Sequence, residues 1–123
     1  MAADSTALFV LLLLFYRARS PLVLGQLVSL ARSIGFPDPE LAAAIAMAES
    51  GGNPLAIGDN GTSFGLWQIH TPAHPEYTAG AMLDPQSNAL AAFAISSHGT
   101  NWKPWTTFNT GAYKPFYHPK GVA

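Results

Sequence analysis

The sequence predicts a mainly α-helical fold built on a single domain. Apolar residues recur at helical spacing in several segments, and three of these segments follow a helix-start pair, namely Ser20-Pro21, Asp38-Pro39 and Asp84-Pro85. The apolar and polar alternation that is typical of strands is absent. A chain of 123 residues has room for one compact core. We therefore expect one domain over residues 21–123, preceded by an apolar helix over residues 1–20.

The first predicted element is this N-terminal helix. Residues 7–16 read ALFVLLLLFY, an apolar run about half as long as the ~20 residues that span a bilayer. No basic segment precedes the run, and Pro21 interrupts the nearest small-residue cleavage site, so we expect no clear cleavable signal peptide. The favoured interpretation is a helix that packs on the domain or binds another subunit through residues 5–19. Membrane contact is the less favoured alternative.

The next predicted elements are two amphipathic helices joined to a glycine-rich loop. The first begins at Ser20-Pro21 and ends at Gly35. The second begins at Asp38 and runs through strong helix formers to Gly51-Gly52. Residues 51–65 contain five glycines, which predicts a loop or a short irregular hairpin directly after the second helix.

The remaining elements follow in the second half of the chain. The segment GLWQI at residues 65–69 fits either a strand or the first turn of a helix. Asp84-Pro85 begins a helix that we expect to run to about Ser97, before Gly99. The tail after residue 101 is rich in aromatic residues, so we expect it to fold back over the domain.

Composition excludes several classes of function. The formal net charge is −1 and only 11% of residues are charged, so no basic surface for nucleic acid is expected. The chain has no cysteine, and its four histidines show no metal-ligand spacing such as HExxH. We therefore expect neither a thiol nucleophile nor a metal or other cofactor.

Glu49 is the residue that most strongly indicates chemistry. It lies four residues after Ile45 and eight after Leu41, so the second helix carries a carboxylate on its apolar face. A carboxyl group desolvated by apolar neighbours has a raised pKa, as a general acid that protonates a glycosidic oxygen requires. The alternative is that Glu49 lies at the edge of the buried face and points to solvent.

Four segments carry a family resemblance. The stretches AIAMAESGGNPLA, SFGLWQI, LDPQSNALAAFAI and FNTGAY resemble, in order, the motifs of lytic transglycosylases and goose-type lysozymes. The resemblance covers residues 22–113 and is closest to small phage and actinobacterial lysozyme-like domains, which share GLWQI. It implies a lysozyme-like domain that acts on the glycan strands of peptidoglycan.

The resemblance also implies roles for individual residues. Glu49 corresponds to the catalytic acid and base. The residues expected to bind substrate are Ser50, Asp59, Ser63, Trp67, Gln68, Asn109 and Tyr113. Trp67 is expected to stack on an amino-sugar ring, with burial in the core as the alternative, and Asp59 could instead be only a turn residue. Because Phe108 replaces the tyrosine that is usual in the last motif, we expect Tyr113 to supply polar help to Glu49.

Residues outside the motifs carry weaker expectations. We expect Asn88 to serve packing or capping. The histidines are expected to be surface or capping residues, at positions His70, His74, His98 and His118.

The supply of acidic residues bears on the reaction. After Glu49 the chain has only Asp59, Glu76 and Asp84, and Asp84 is better explained as a helix cap. A glycosidase usually needs two carboxylates, whereas the resemblance implies that a transglycosylase can work with one. The favoured interpretation is therefore a lytic transglycosylase that cleaves the MurNAc-GlcNAc bond and leaves 1,6-anhydro ends. The alternative is a hydrolytic lysozyme with Asp59, or next Glu76, as the second carboxylate.

Alternatives from other classes remain open. The chain could be an inactive wall-binding module or a structural subunit of a phage or secretion assembly. A membrane-active lysis protein is a third interpretation, which depends only on residues 7–16. We expect a virion-associated or cell-wall-facing location, as for a lysin that opens the wall during infection.

Overall fold

The computed structural model describes residues 20–119, and it confirms a mainly α-helical domain with a small hairpin after the second helix. The predicted helix over residues 1–20, with its packing or anchoring role, lies outside the described residues. The elements in chain order are α1 (Leu24–Ile34), α2 (Pro39–Ser50), β1 (Ile57–Gly58), β2 (Ser63–Phe64), β3 (Ile69–His70), α3 (Ala79–Met82), α4 (Pro85–Ile95), α5 (Thr106–Thr110) and a 3-10 turn (Lys114–Phe116). Between residues 20 and 119, no helix has the length and apolar character needed to cross a membrane.

Two helices begin where the sequence predicts. The Asp38 carboxylate accepts a hydrogen bond from the Leu41 N–H at 3.1 Å, at the start of α2. The Asp84 carboxylate accepts one from the Ser87 N–H at 2.9 Å, at the start of α4. Each bond satisfies a backbone donor that the first turn of a helix leaves free. The helix that Asp84 caps ends at Ile95, slightly earlier than expected.

The start of α1 differs from the prediction. Ser20-Pro21 does not cap a helix, because α1 begins only at Leu24. The Leu22 N–H donates to the Gly52 carbonyl at 2.7 Å, which ties the incoming chain in an extended form to the loop after α2. The long-range bond therefore outweighs the local Ser-Pro signal.

The strands form a three-stranded antiparallel sheet in the order β1-β2-β3. Ile57 pairs with Phe64, and Ser63 pairs with His70. The GLWQI segment is a turn over residues 65–68 that leads into β3. It is therefore neither a full strand nor the first turn of a helix. This sheet and the loops around it stand beside the carboxyl end of α2.

The core is organised around Trp67 and Asn88, both fully buried. The Trp67 indole N–H donates to the Ala42 carbonyl at 3.0 Å, and its backbone N–H donates to the Asn88 side chain at 2.8 Å. The Asn88 amide donates to the carbonyls of Phe64 and Met82, each at 2.8 Å. Asn88 thus joins the hairpin, α3 and α4, which confirms its predicted packing role.

Candidate functional site

The candidate site is an open cleft of about 910 Å³ between the end of α2, the hairpin and the segment before and within α5. Its walls bring together residues that are far apart in sequence. The polar side chains on these walls include those of Glu49, Asp59, Ser63, Gln68, His70 and Thr107.

Glu49 lies in the last turn of α2 with its carboxyl group half-buried in this cleft. Burial raises its pKa above the ordinary value of 4.5, and the negative charge of Asp59 raises it further. The Thr107 hydroxyl donates a hydrogen bond to Glu49 Oε2 at 2.6 Å. This bond stabilises the ionised form and partly offsets the effect of burial on the pKa. The result is a carboxyl group that holds its proton to a higher pH than a solvated glutamate.

Asp59 presents a second carboxylate in the same cleft. Both Asp59 and Asn60 adopt left-handed backbone conformations, with φ of 50° and 56°, which aspartate and asparagine tolerate better than most residues. The Thr62 hydroxyl donates to the Asp59 carbonyl at 2.7 Å, and the Ser63 hydroxyl donates to Asp59 Oδ2 at 2.6 Å. Asp59 is therefore a turn residue, and its carboxylate is also held in the cleft near enough to act on Glu49.

Gln68 lines the cleft with its amide nitrogen already bound. The nitrogen donates to the carbonyls of Ala56 at 3.1 Å and Gly65 at 2.9 Å, and the backbone φ is 49°. Its Oε1 lies close to Gly58. A Cβ at position 58 would come within 2.4 Å of this oxygen, so a larger residue does not fit there. The backbone bonds fix the orientation of this amide, and its carbonyl oxygen accepts no hydrogen bond within residues 20–119.

The structure corrects the predicted role of Trp67. Its side chain is 0% exposed and its indole N–H is bonded within the core, so neither ring face can stack on a sugar. The core alternative is the correct one. Trp105 lines the cleft instead, with its indole N–H donating to the Trp67 carbonyl at 2.8 Å.

Three further predicted substrate-binding residues do not line the cleft, so the structure gives them other contacts. The Ser50 hydroxyl donates to the Ala46 carbonyl at 2.9 Å and helps to end α2. The Asn109 amide donates to the Lys103 carbonyl at 2.8 Å.

Tyr113 is the third of these residues. Its ring stacks on Phe108 at a centroid distance of 5.3 Å. The polar help to Glu49 that was expected from Tyr113 comes from Thr107.

The sequence did not indicate that Thr107, His70 and His74 line the cleft. Phe108 lacks the hydroxyl of the tyrosine that is usual at this position. Thr107 directly precedes Phe108 and carries a hydroxyl, which is the signal that could have identified it. His70 and His74 line the cleft, although they were expected to serve only at the surface or as caps. The pairing of β2 with β3 places His70 opposite Ser63, and this pairing could not be read from the sequence.

The other candidate second carboxylate lies elsewhere. Glu76 does not line the cleft and is exposed, with its Oε1 at 3.7 Å from His74 Nδ1. Among the described residues 20–119, Asp59 is therefore the one acidic residue besides Glu49 that lines the cleft.

An acid with a raised pKa at the wall of an open cleft fits the general acid of a glycosidase site. Comparison with known families agrees with this class, because a family model described as a lysozyme-like domain matches residues 28–107, more than half of the chain. The chain belongs to this family of lysozyme-like domains. Membership indicates glycosidase activity, with the glycan of peptidoglycan as substrate. No curated protein and no solved structure matches the chain significantly.

Proposed function

We propose that this domain is a muramidase that cleaves the β-1,4 bond between MurNAc and GlcNAc, with Glu49 as its general acid. The observation that carries the proposal is the half-buried Glu49 carboxyl with its raised pKa, held by Thr107 in the cleft. Such a carboxyl is protonated at a pH where an ordinary glutamate is ionised, so it can give a proton to the leaving oxygen.

The favoured route is that of a lytic transglycosylase. Glu49 protonates the glycosidic oxygen, and the C1–O bond breaks with its electron pair on that oxygen. The acetamido oxygen of MurNAc stabilises the cation at C1 until the C6 hydroxyl attacks it. The hydroxyl hydrogen passes to the Glu49 carboxylate, which restores the acid and leaves a 1,6-anhydro end. The route needs only one carboxyl group, which suits a cleft whose other carboxylate is already engaged by Ser63.

Hydrolysis by a lysozyme mechanism is the second candidate, and one observation favours it. Asp59 lines the same cleft and raises the pKa of Glu49 through its charge. A second carboxylate in the cleft of the acid is the group that activates water in a two-carboxylate mechanism.

The proposed setting is the cell wall, as for a virion-associated lysin that opens the wall during infection. The hydrogen-bonding side chains among the cleft residues support the choice of a glycan substrate. If the domain proves unable to cleave glycan, the alternative is a wall-binding or structural subunit that has kept a lysozyme-like fold.

The test is digestion of purified peptidoglycan by the wild type and by Glu49→Gln, with mass analysis of the sugar ends. Glu40→Gln is a matched control, because Glu40 lies at the opposite end of the same helix and does not line the cleft. We expect anhydro ends from the wild type and the control, and a loss of at least ~100-fold for Glu49→Gln. Reducing ends would instead identify the enzyme as a hydrolase. No cleavage by the wild type would refute the enzyme and favour a binding module.

A further inference from the structure

Three cleft residues form a hydrogen-bonded row on the wall that carries the hairpin. The Ser63 hydroxyl donates to Asp59 Oδ2 at 2.6 Å, and Ser63 Oγ lies 3.2 Å from His70 Nδ1. Ser63 is fully buried, whereas His70 is exposed and both line the cleft. Cross-strand pairing of Ser63 with His70 and the tight turn at Asp59 hold the row in place.

The number of hydrogens in the row determines the tautomer of His70. A serine hydroxyl has one hydrogen, and an ionised carboxylate can only accept. The hydrogen of Ser63 is used on Asp59, so Ser63 Oγ can only accept from the histidine. His70 Nδ1 must therefore carry a hydrogen, and in the neutral ring Nε2 then presents a lone pair. Nε2 has no hydrogen-bond partner within residues 20–119.

We propose that His70 binds the substrate directly, with Nε2 accepting a hydrogen bond from the acetamido N–H of MurNAc. This inference rests on the proposed function. When the C1–O bond breaks and the acetamido oxygen bonds to C1, positive charge spreads to the acetamido nitrogen. The lone pair of Nε2 stabilises that charge. The negative charge of Asp59 polarises the imidazole ring through the hydrogen bonds of Ser63.

No proton moves to His70 in this scheme. The acetamido hydrogen stays on its nitrogen, and the C6 hydroxyl, or water in a hydrolase, then attacks C1. The C1 bond to the acetamido oxygen breaks as the new bond forms, and the hydrogen of the attacking oxygen goes to Glu49. His70 therefore contributes to the formation of the cyclic oxazolinium intermediate and leaves the acid and base roles of Glu49 unchanged.

The experiment has one readout that does not require activity. Long-range ¹H–¹⁵N spectra of the wild type report which His70 nitrogen carries the hydrogen, and we expect the Nδ1–H form. Ser63→Ala, checked for folding by circular dichroism, should lose this preference. The Nε2–H form in the wild type at neutral pH would overturn the row as described.

The second readout compares His70→Ala with His118→Ala, an exposed histidine that does not line the cleft. His70→Ala should lower kcat on peptidoglycan by about 10–100-fold, the effect of one hydrogen bond to a charged group. It should weaken binding of a thiazoline analogue of the oxazolinium ion by a similar factor. His118→Ala should change neither value by more than about twofold.

Each other outcome overturns the inference in a distinguishable way. If His70→Ala cleaves as well as the wild type while Glu49→Gln does not, the proposed function stands and the role of His70 fails. If His70→Ala loses kcat but binds the thiazoline normally, the contact is not with the acetamido group. If the wild type cleaves nothing, the proposed function fails and the inference falls with it.

Discussion

Replacing Thr107 with valine should raise the pKa of Glu49 further and move the activity profile to higher pH. Valine keeps the shape of the side chain but removes the hydroxyl that donates to Glu49 Oε2 at 2.6 Å. That bond favours the ionised carboxylate, and the backbone of Thr107 adds a smaller contribution that the substitution leaves in place. The change in pKa therefore isolates the side-chain hydrogen bond.

The magnitude follows from the length of the bond and the exposure of the acid. A hydrogen bond to a charged group contributes about 1.5–3 kcal/mol, and the separation of 2.6 Å is typical of such bonds. Glu49 is only half-buried, so screening by solvent reduces this to about 1 kcal/mol. Because the lost bond favours the ionised carboxylate, its removal raises the pKa of Glu49.

The assay is the pH dependence of kcat/KM on purified peptidoglycan, which reports the groups of the free enzyme. A general acid works only while protonated, so activity falls as the pH rises through the pKa of Glu49. In Thr107→Val this alkaline limb should lie at higher pH than in the wild type, and in Thr107→Ser it should match the wild type. An unmoved limb, or one at lower pH, would refute the assignment of Thr107 as the residue that tunes Glu49.

Two predictions concern stability. Glu49→Gln should raise the melting temperature at pH 7. A carboxyl group whose pKa is raised in the folded state contributes stability that is complete below pH 4.5 and is lost as the pH rises through the folded-state pKa. The gain should vanish near pH 4, and a less stable variant at pH 7 would contradict it. Asn88→Ala should lower the free energy of unfolding in urea by roughly 3 kcal/mol, because it leaves one backbone N–H and two carbonyls unpaired in the core. A loss below about 1 kcal/mol would show that these groups find other partners.

The helices that the sequence predicts correctly are those whose signals act within one turn. Asp38 and Asp84 each bond to a backbone N–H three residues ahead, so the signal and the structure lie in the same short segment. Ser20-Pro21 carries a similar signal, yet the chain there is held by a bond between Leu22 and Gly52. Such a bond depends on the packing of α1 against α2 and leaves no trace in the local sequence.

The site was predicted unevenly for a related reason. A motif fixes the order of residues along the chain but does not fix the direction of each side chain. In the turn over residues 65–68, Trp67 enters the core, while Gln68, at φ 49°, faces the cleft. Thr107 contacts Glu49 from a separate helix, 58 residues along the chain. Contacts of this kind required the packing of α5 on α2, and no single segment of sequence contained them.

Asp59 acts both on the acid Glu49 and on the row formed with Ser63 and His70, and one substitution tests its part in the mechanism. Its charge raises the pKa of Glu49, and its carboxylate accepts the hydrogen bond from Ser63. Asp59→Asn removes the charge, so the alkaline limb of kcat/KM should move to lower pH, opposite to the shift expected for Thr107→Val. A transglycosylase should keep measurable cleavage with anhydro ends, because Glu49 still supplies the acid and the base. A hydrolase that relies on Asp59 to activate water should instead lose cleavage at every pH, and a limb that moves upward would contradict the electrostatic effect itself.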